Sequence, residues 1–239
     1  QAKRLPRIIP AVILSFAFLF GSSAIGAVVI LAVYLLLDGS ITAKTALMGA
    51  FQQDILLFSA FLPIFLIIYL WVHLYEKRPM RTIGLTSKQP LLKYVLGFLS
   101  GAGLIALTVL CIGIIRGLSL GVATPGFTGF AALGGVLLVL PGWMIQSAAE
   151  EVLIRGWLLP VIGARYKPAF GLFVSAVVFA AYHSLNPNFN LLAILNLFLF
   201  GLLTGLYLLK EGSLWGVMGL HAAWNWAEGN LFGFPVSGV

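Results

Sequence analysis

Long uncharged apolar runs dominate the chain, and the polar positions fall almost wholly between them. Reading from one charged or Pro/Gly-marked break to the next gives runs of about 8–37, 51–75, 94–116, 128–162, 168–185, 189–209 and 213–233. A bilayer core of about 30 Å takes roughly 20 apolar helical residues to cross, so each run is predicted to be a transmembrane helix. The fourth run is too long for one simple crossing. It is expected to kink, tilt or restart at Pro141-Gly142, because proline removes a helix donor and crowds the preceding turn. The predicted fold is an all-α, polytopic membrane helical bundle of seven or eight spans. No repeat, low-complexity linker or second soluble domain is visible, so residues 1–239 read as a single membrane domain.

Composition agrees. With 61% hydrophobic residues, 9% charged residues and a mean hydropathy of +1.06, there is too little polar surface to cover a water-soluble globule. The fourteen basic residues exceed the seven acidic ones, but they are scattered between apolar runs and form no stripe along a face. They read as topology signals and lipid-headgroup contacts, and no nucleic-acid partner is expected. The polar stretch 76–93 holds five basic residues, Lys77, Arg78, Arg81, Lys88 and Lys93, and should face the cytoplasm. Placing Lys3, Arg4 and Arg7 on the same side leaves Lys44 and Arg116 outside, an N-in, C-out arrangement. The first run is too long for a signal-peptide core and reads as an anchor. Cys111, the single cysteine, lies inside an apolar run, excludes an internal disulfide framework, and is expected to be a packed structural thiol.

Charged groups inside a membrane cost at least a few kcal/mol each, so they are normally paired, inward-facing and functional. The second half of the chain breaks its apolar pattern at Glu150, Glu151 and Arg155, at His183, at His221 and Asn225, and at Glu228. The first half has nothing comparable within its spans except His73 near a span end. In Glu150-Glu151-x-x-x-Arg155 the four-residue spacing stacks Glu151 and Arg155 on one helix face as a neutralising pair, while Glu150 is turned about 100° away. A structural network in which both carboxylates share the arginine is the plainer alternative. Phe179 stands one turn before His183, and His221 one turn before Asn225, the latter pair separated by alanines that admit a neighbouring helix. Either histidine alone could be an interhelical hydrogen bond. With a spare carboxylate, the set can hold and activate a water.

Several intramembrane chemistries are excluded by what is missing. The only aspartates, Asp38 and Asp54, sit at span edges, which rules out a paired-aspartate site; there is no His-Glu-x-x-His, no Gly-x-Ser-x-Gly, and no Walker or dinucleotide fingerprint. Ser100 in Phe-Leu-Ser-Gly-Ala-Gly is only a faint echo of a serine-protease motif. Water is the attacker these residues allow.

The ordered triplet Glu150-Glu151-x-x-x-Arg155, Phe179-x-x-x-His183, His221-x-x-x-Asn225 resembles the CPBP family of intramembrane proteases, also called the Abi or CAAX-protease-and-bacteriocin-processing family, and is most similar to its bacterial members. Supporting matches are Arg81-Thr82-Ile83-Gly84-Leu85, Arg155-Gly156, and Gly212-Ser213-Leu214-Trp215. The resemblance covers about 76–230; the first two spans contribute only hydrophobicity. It implies an intramembrane endopeptidase of a bacterial cytoplasmic membrane, cutting a peptide or membrane-tethered protein. Glu150 and His183 would activate the water, His221 and Asn225 would stabilise the oxyanion, and Glu151, Arg155 and Phe179 would support them. A metalloprotease reading, with Glu150, His183 and His221 as zinc ligands, also belongs to the family. The metal-free route is preferred because Asn225 has work as an oxyanion donor and none as a zinc ligand. The competing readings are a non-proteolytic scaffold or bacteriocin-immunity protein and a proton-coupled transporter. Depth adds a condition: at ~1.5 Å per residue an unbroken fourth helix would carry Glu150 away from His183, so the site depends on a break at Pro141-Gly142.

Overall fold

In a computed structural model describing residues 4–36, 46–116, 130–187 and 190–236, the apolar runs are helices and no strand occurs among those residues. Lys3, Asp38 and Lys44, and the expected span limits at 37, 128 and 189, lie outside the described residues. In order come α1 (Ile8–Leu36), α2 (Ala46–Leu70), α3 (Pro90–Arg116), α4 (Phe130–Leu138), α5 (Leu140–Glu151), α6 (Leu159–Arg165), α7 (Pro168–Tyr182), α8 (Leu191–Glu211) and α9 (Trp215–Trp226). Wider π-type turns extend α2 over Trp71–Tyr75, join α5 to α6 over Val152–Leu158, and extend α9 over Ala227–Leu231. Among the described residues these make seven helical runs, the fourth of them (130–165) interrupted once, at Val139. Five are long and apolar enough to cross a bilayer; α7, at 15 residues, and the run starting at Trp215 are shorter than that. The chain is an integral membrane protein built as a polytopic helical bundle.

Helix ends follow from local chemistry. Pro90 and Pro168 open α3 and α7 at positions where a missing N–H costs no helical bond. Asn190 caps α8, its side chain accepting from the Ala193 N–H at 3.0 Å, and Gly212 ends that helix in the left-handed conformation at φ 74°. The long fourth run is interrupted at Val139, where α4 stops and α5 starts with Pro141 in its first turn. The Gly142 N–H, freed at this new N-terminus, donates to Asp54 Oδ1 on α2 at 2.8 Å. Asp54, near the start of α2, is therefore buried as a cap for another helix. A Cβ on Gly142 would fall 2.3 Å from that oxygen, so glycine is required for the contact.

The core lies around α5, α9 and the π turns between α5 and α6, where Leu153, Ile154, Trp157 and Leu158 are wholly buried. α3 and α9 cross closely on small residues: a Cβ on Gly97 would meet the Gly216 carbonyl oxygen at 1.9 Å, and one on Gly219 would meet that of Tyr94 at 2.1 Å. The opposite face of α3 is open, and Cys111 lies exposed there. The expected packed thiol is thus corrected: its helix buries only one face, and position 111 is not on it. The stretch 76–93 is also less of a free loop than its charge suggests, since α3 begins at Pro90 and Glu76 and Arg78 are buried. Glu76 accepts from the Trp71 and Trp157 indoles at 3.1 and 2.8 Å and from Arg78 Nε at 2.5 Å.

Candidate active site

Glu150 and Glu151 close α5, and the run continues through a π turn that carries Arg155, a geometry frequent at functional sites. Arg155 is fully buried; Nη1 donates to Glu151 Oε1 at 3.1 Å, Nη2 reaches the Gly201 carbonyl at 3.4 Å, and the guanidinium lies 4.3 Å over the Phe179 ring. Glu151 is not confined to Arg155, however. The same Oε1 accepts from His221 Nδ1 on α9 at 2.8 Å, while His221 Nε2 lies 3.9 Å from Glu150 Oε2. The 100° separation of neighbouring glutamates thus brings them to the two nitrogens of one imidazole. A carboxylate can only accept, so the Nδ1 proton of His221 is held by Glu151, and Nε2 is the nitrogen left for other partners. Phe179 and Phe200 wall this ring edge-on, at centroid distances of 5.9 and 5.1 Å.

His183 arrives from another direction. It ends α7, with its Nδ1 2.9 Å from the Phe179 carbonyl oxygen. That oxygen accepts only, so Nδ1 carries the hydrogen and Nε2 presents a lone pair in the neutral ring. Glu150, His183 and Asn225 all line one cavity of about 610 Å³. His221 opens instead onto an adjoining cavity of about 180 Å³, which Asn225 and Glu228 also line. Asn225 stands where the two meet. The break at Val139 lies upstream of this convergence, and Glu150 and His183 share a wall.

Among the described residues, no group of three His, Cys, Asp or Glu side chains is placed to hold one metal ion. Glu150 and His183 line the larger cavity, and His221, its Nδ1 engaged by Glu151, opens onto the smaller one.

Two features escaped the sequence reading. Gln146, one turn before Glu150, bonds both Glu150 and Asn225, and its four-residue spacing was the signal that could have found it. The first two helices also do more than add hydrophobicity, because Leu19 and Phe20 of α1 and Leu57 and Phe61 of α2 wall the larger cavity. Elsewhere, the three supporting motifs meet in space. The Leu214 N–H donates to the Gly84 carbonyl at 2.8 Å, the Trp215 indole to that of Leu85 at 2.7 Å, and Gly156 abuts Ile83 and Leu214. Ser100 only bonds back to the Leu96 carbonyl at 2.7 Å on an exposed surface, which gives it no nucleophile's setting.

Residues 132–227 match the family model described as "Type II CAAX prenyl endopeptidase Rce1-like". The expected core of 76–230 is thus matched only from 132 onward. Over 97 residues the chain is 34% identical to a Bacillus subtilis (strain 168) protein named "Uncharacterized protein YyaK", covering 39% of this chain and 31% of that one. The chain accordingly matches about a third of that relative's length. No solved structure matches. The matched segment holds both glutamates, both histidines and the asparagine of the site, and over that segment the chain is similar to the Rce1-like CAAX endopeptidases.

Proposed function

We propose that this protein is an intramembrane endopeptidase that hydrolyses a peptide bond in a peptide or membrane-tethered protein. The observation that carries the reading is Glu150: its Oε2 is buried without a hydrogen-bond partner, beside a cavity that His183 and Asn225 also line. An unpaired carboxylate oxygen in a membrane interior is expensive, and a substrate water is the partner that relieves it.

In this mechanism the water sits between Glu150 Oε2 and His183 Nε2. As its oxygen attacks the scissile carbonyl carbon, its proton passes to Glu150, and the carbonyl oxygen becomes an oxyanion beside Asn225 and His221. Asn225 Nδ2 has one N–H engaged by Gln146 and a second free to donate. His221 Nε2 donates there only when the ring carries both protons, with Glu151 holding the other at Nδ1. Collapse of the intermediate breaks the C–N bond, and Glu150 returns its proton to the leaving amine. Arg155 and Phe179 hold Glu151 and the His221 ring in place. In the membrane, the N-terminus and the 76–93 segment lie on the cytoplasmic side.

The test needs no prior substrate. Bacterial membranes are incubated with purified wild-type protein or with Glu150→Gln, and new protein N-termini are labelled and sequenced by mass spectrometry. Termini that appear with wild type and not with Glu150→Gln, and that survive chelation of divalent metals, are the expected result. No new termini, or identical termini from both proteins, would overturn the proposal.

A further inference from the structure

Gln146 touches both halves of the proposed chemistry. It lies on α5 one turn before Glu150, with 6% of its surface exposed. Its Nε2 donates to Glu150 Oε1, and its Oε1 accepts from Asn225 Nδ2 on α9 at 2.9 Å and from Ser147 Oγ at 3.1 Å. These partners set the orientation of the amide. Turned over, it would press an NH2 group against that of Asn225 and an oxygen against the Glu150 carboxylate, losing both bonds and leaving buried polar groups opposed.

Each end of that amide has a consequence. Holding Oε1 of Glu150 leaves Oε2, the unpartnered oxygen, as the one that can take a proton. Holding one N–H of Asn225 fixes its side-chain plane and so the direction of the other N–H. The base comes from α5 and the oxyanion donor from α9, and Gln146 bonds directly to both.

We propose that Gln146 is a positioning residue that couples Glu150 to Asn225, keeping base and oxyanion donor in register across the α5–α9 contact. This rests on the endopeptidase reading, and the experiment separates the two. Its probe is an internally quenched peptide spanning a terminus that the wild-type protein generates, assayed on full-length protein in phospholipid vesicles. Gln146→Met removes both bonds at similar length and is expected to lower kcat about 100-fold, the size of a small misplacement of reacting groups, with KM nearly unchanged. Its effect should largely vanish in an Asn225→Ala background, where one coupled partner is already gone. Gln146→Glu keeps the acceptor for Asn225 and loses the donor to Glu150. It serves as the second variant if the first fails to fold, and it should also lose kcat.

A spectroscopic readout stands apart from turnover. In protein labelled with 15N-asparagine, the Asn225 side-chain NH2 signals should exchange slowly with solvent. Gln146→Met should shift them and speed their exchange, whereas Gln146→Glu should leave them near their wild-type positions. Losses of kcat that simply add in the double variant, an effect confined to KM, or unmoved Asn225 signals in Gln146→Met would each overturn the proposal. An absence of wild-type turnover would instead strike the endopeptidase reading, with the Asn225 signals still deciding whether the coupling exists.

Discussion

The helices α1, α2 and α3 and the run Leu133–Arg165 are all apolar enough to cross a membrane, yet they are surrounded by different media. In the most apolar stretch of each of the first three, 17% of residues are buried within the protein; in Leu133–Arg165 the share is 61%. Polar residues follow this division. Buried Ser15 donates to the Val12 carbonyl of its own helix and Ser22 to the Ala60 carbonyl of α2. The inner run carries Gln146 and Glu150 in one bonded set and Glu151 and Arg155 in another, and both reach α9. Lipid offers a charged group no partner, so an ionisable cluster needs a surrounding layer of helices before it can exist at mid-membrane. The outer helices supply that layer.

If function lives in the inner run, its largest single effect should come from Glu150. Glu150→Gln keeps the acceptor for Gln146 but cannot take a proton from water, and kcat should fall by about 100- to 10,000-fold, the range for loss of a general base. His183→Ala should fall in the same range, with thermal unfolding in detergent little changed for either. Wild-type turnover by both variants would detach the chemistry from this region. Next in size is Arg155→Met. Removing the one permanent cation of this buried cluster leaves Glu151 with only the His221 Nδ1–H, and ~3–5 kcal/mol of stability should be lost. The same change at exposed Arg81 should cost no more than about 0.5 kcal/mol. Equal shifts in unfolding temperature for the two variants would mean that the inner network contributes nothing special.

Much of this division is legible in the residues themselves. The spans, the interruption near Pro141-Gly142 and the Glu151–Arg155 spacing all depend on local periodicity, which a single chain displays directly. The contacts that remained hidden are between helices far apart in sequence. Asp54 reads as a span-edge charge, and nothing marks Gly142, 88 residues later, as its donor. His221 reaches Glu151 across 70 residues. Cys111 looks packed in an apolar run because hydropathy does not distinguish a face turned to protein from one turned to lipid, both being apolar. Gln146 was missed because a lone amide among apolar residues carries no charge to mark it.

A smaller effect would sharpen the role of the outer helices. Leu57 of α2 walls the same cavity as Glu150 without belonging to the segment that matches the family. Leu57→Ala should raise KM by ~10-fold for a substrate with a large apolar residue beside the cut bond, with kcat close to wild type, because the lost contact is equal in ground and transition states. An unchanged KM would return α2 to a purely enclosing role.

The smallest expected effect is the most direct test of which medium α3 faces. Leu99 is 63% exposed on the side of α3 away from α9. In water such a side chain would gain by burial, but lipid tails are as apolar as leucine and give no reason to leave them. Leu99→Ala should therefore change stability by less than about 0.5 kcal/mol and leave turnover unaltered. A loss above ~2 kcal/mol, the range of a core truncation, would show that this face is packed against protein. The low burial of the first three helices would then reflect a partner surface and not lipid, and the contrast between the two regions would fail at its outer edge.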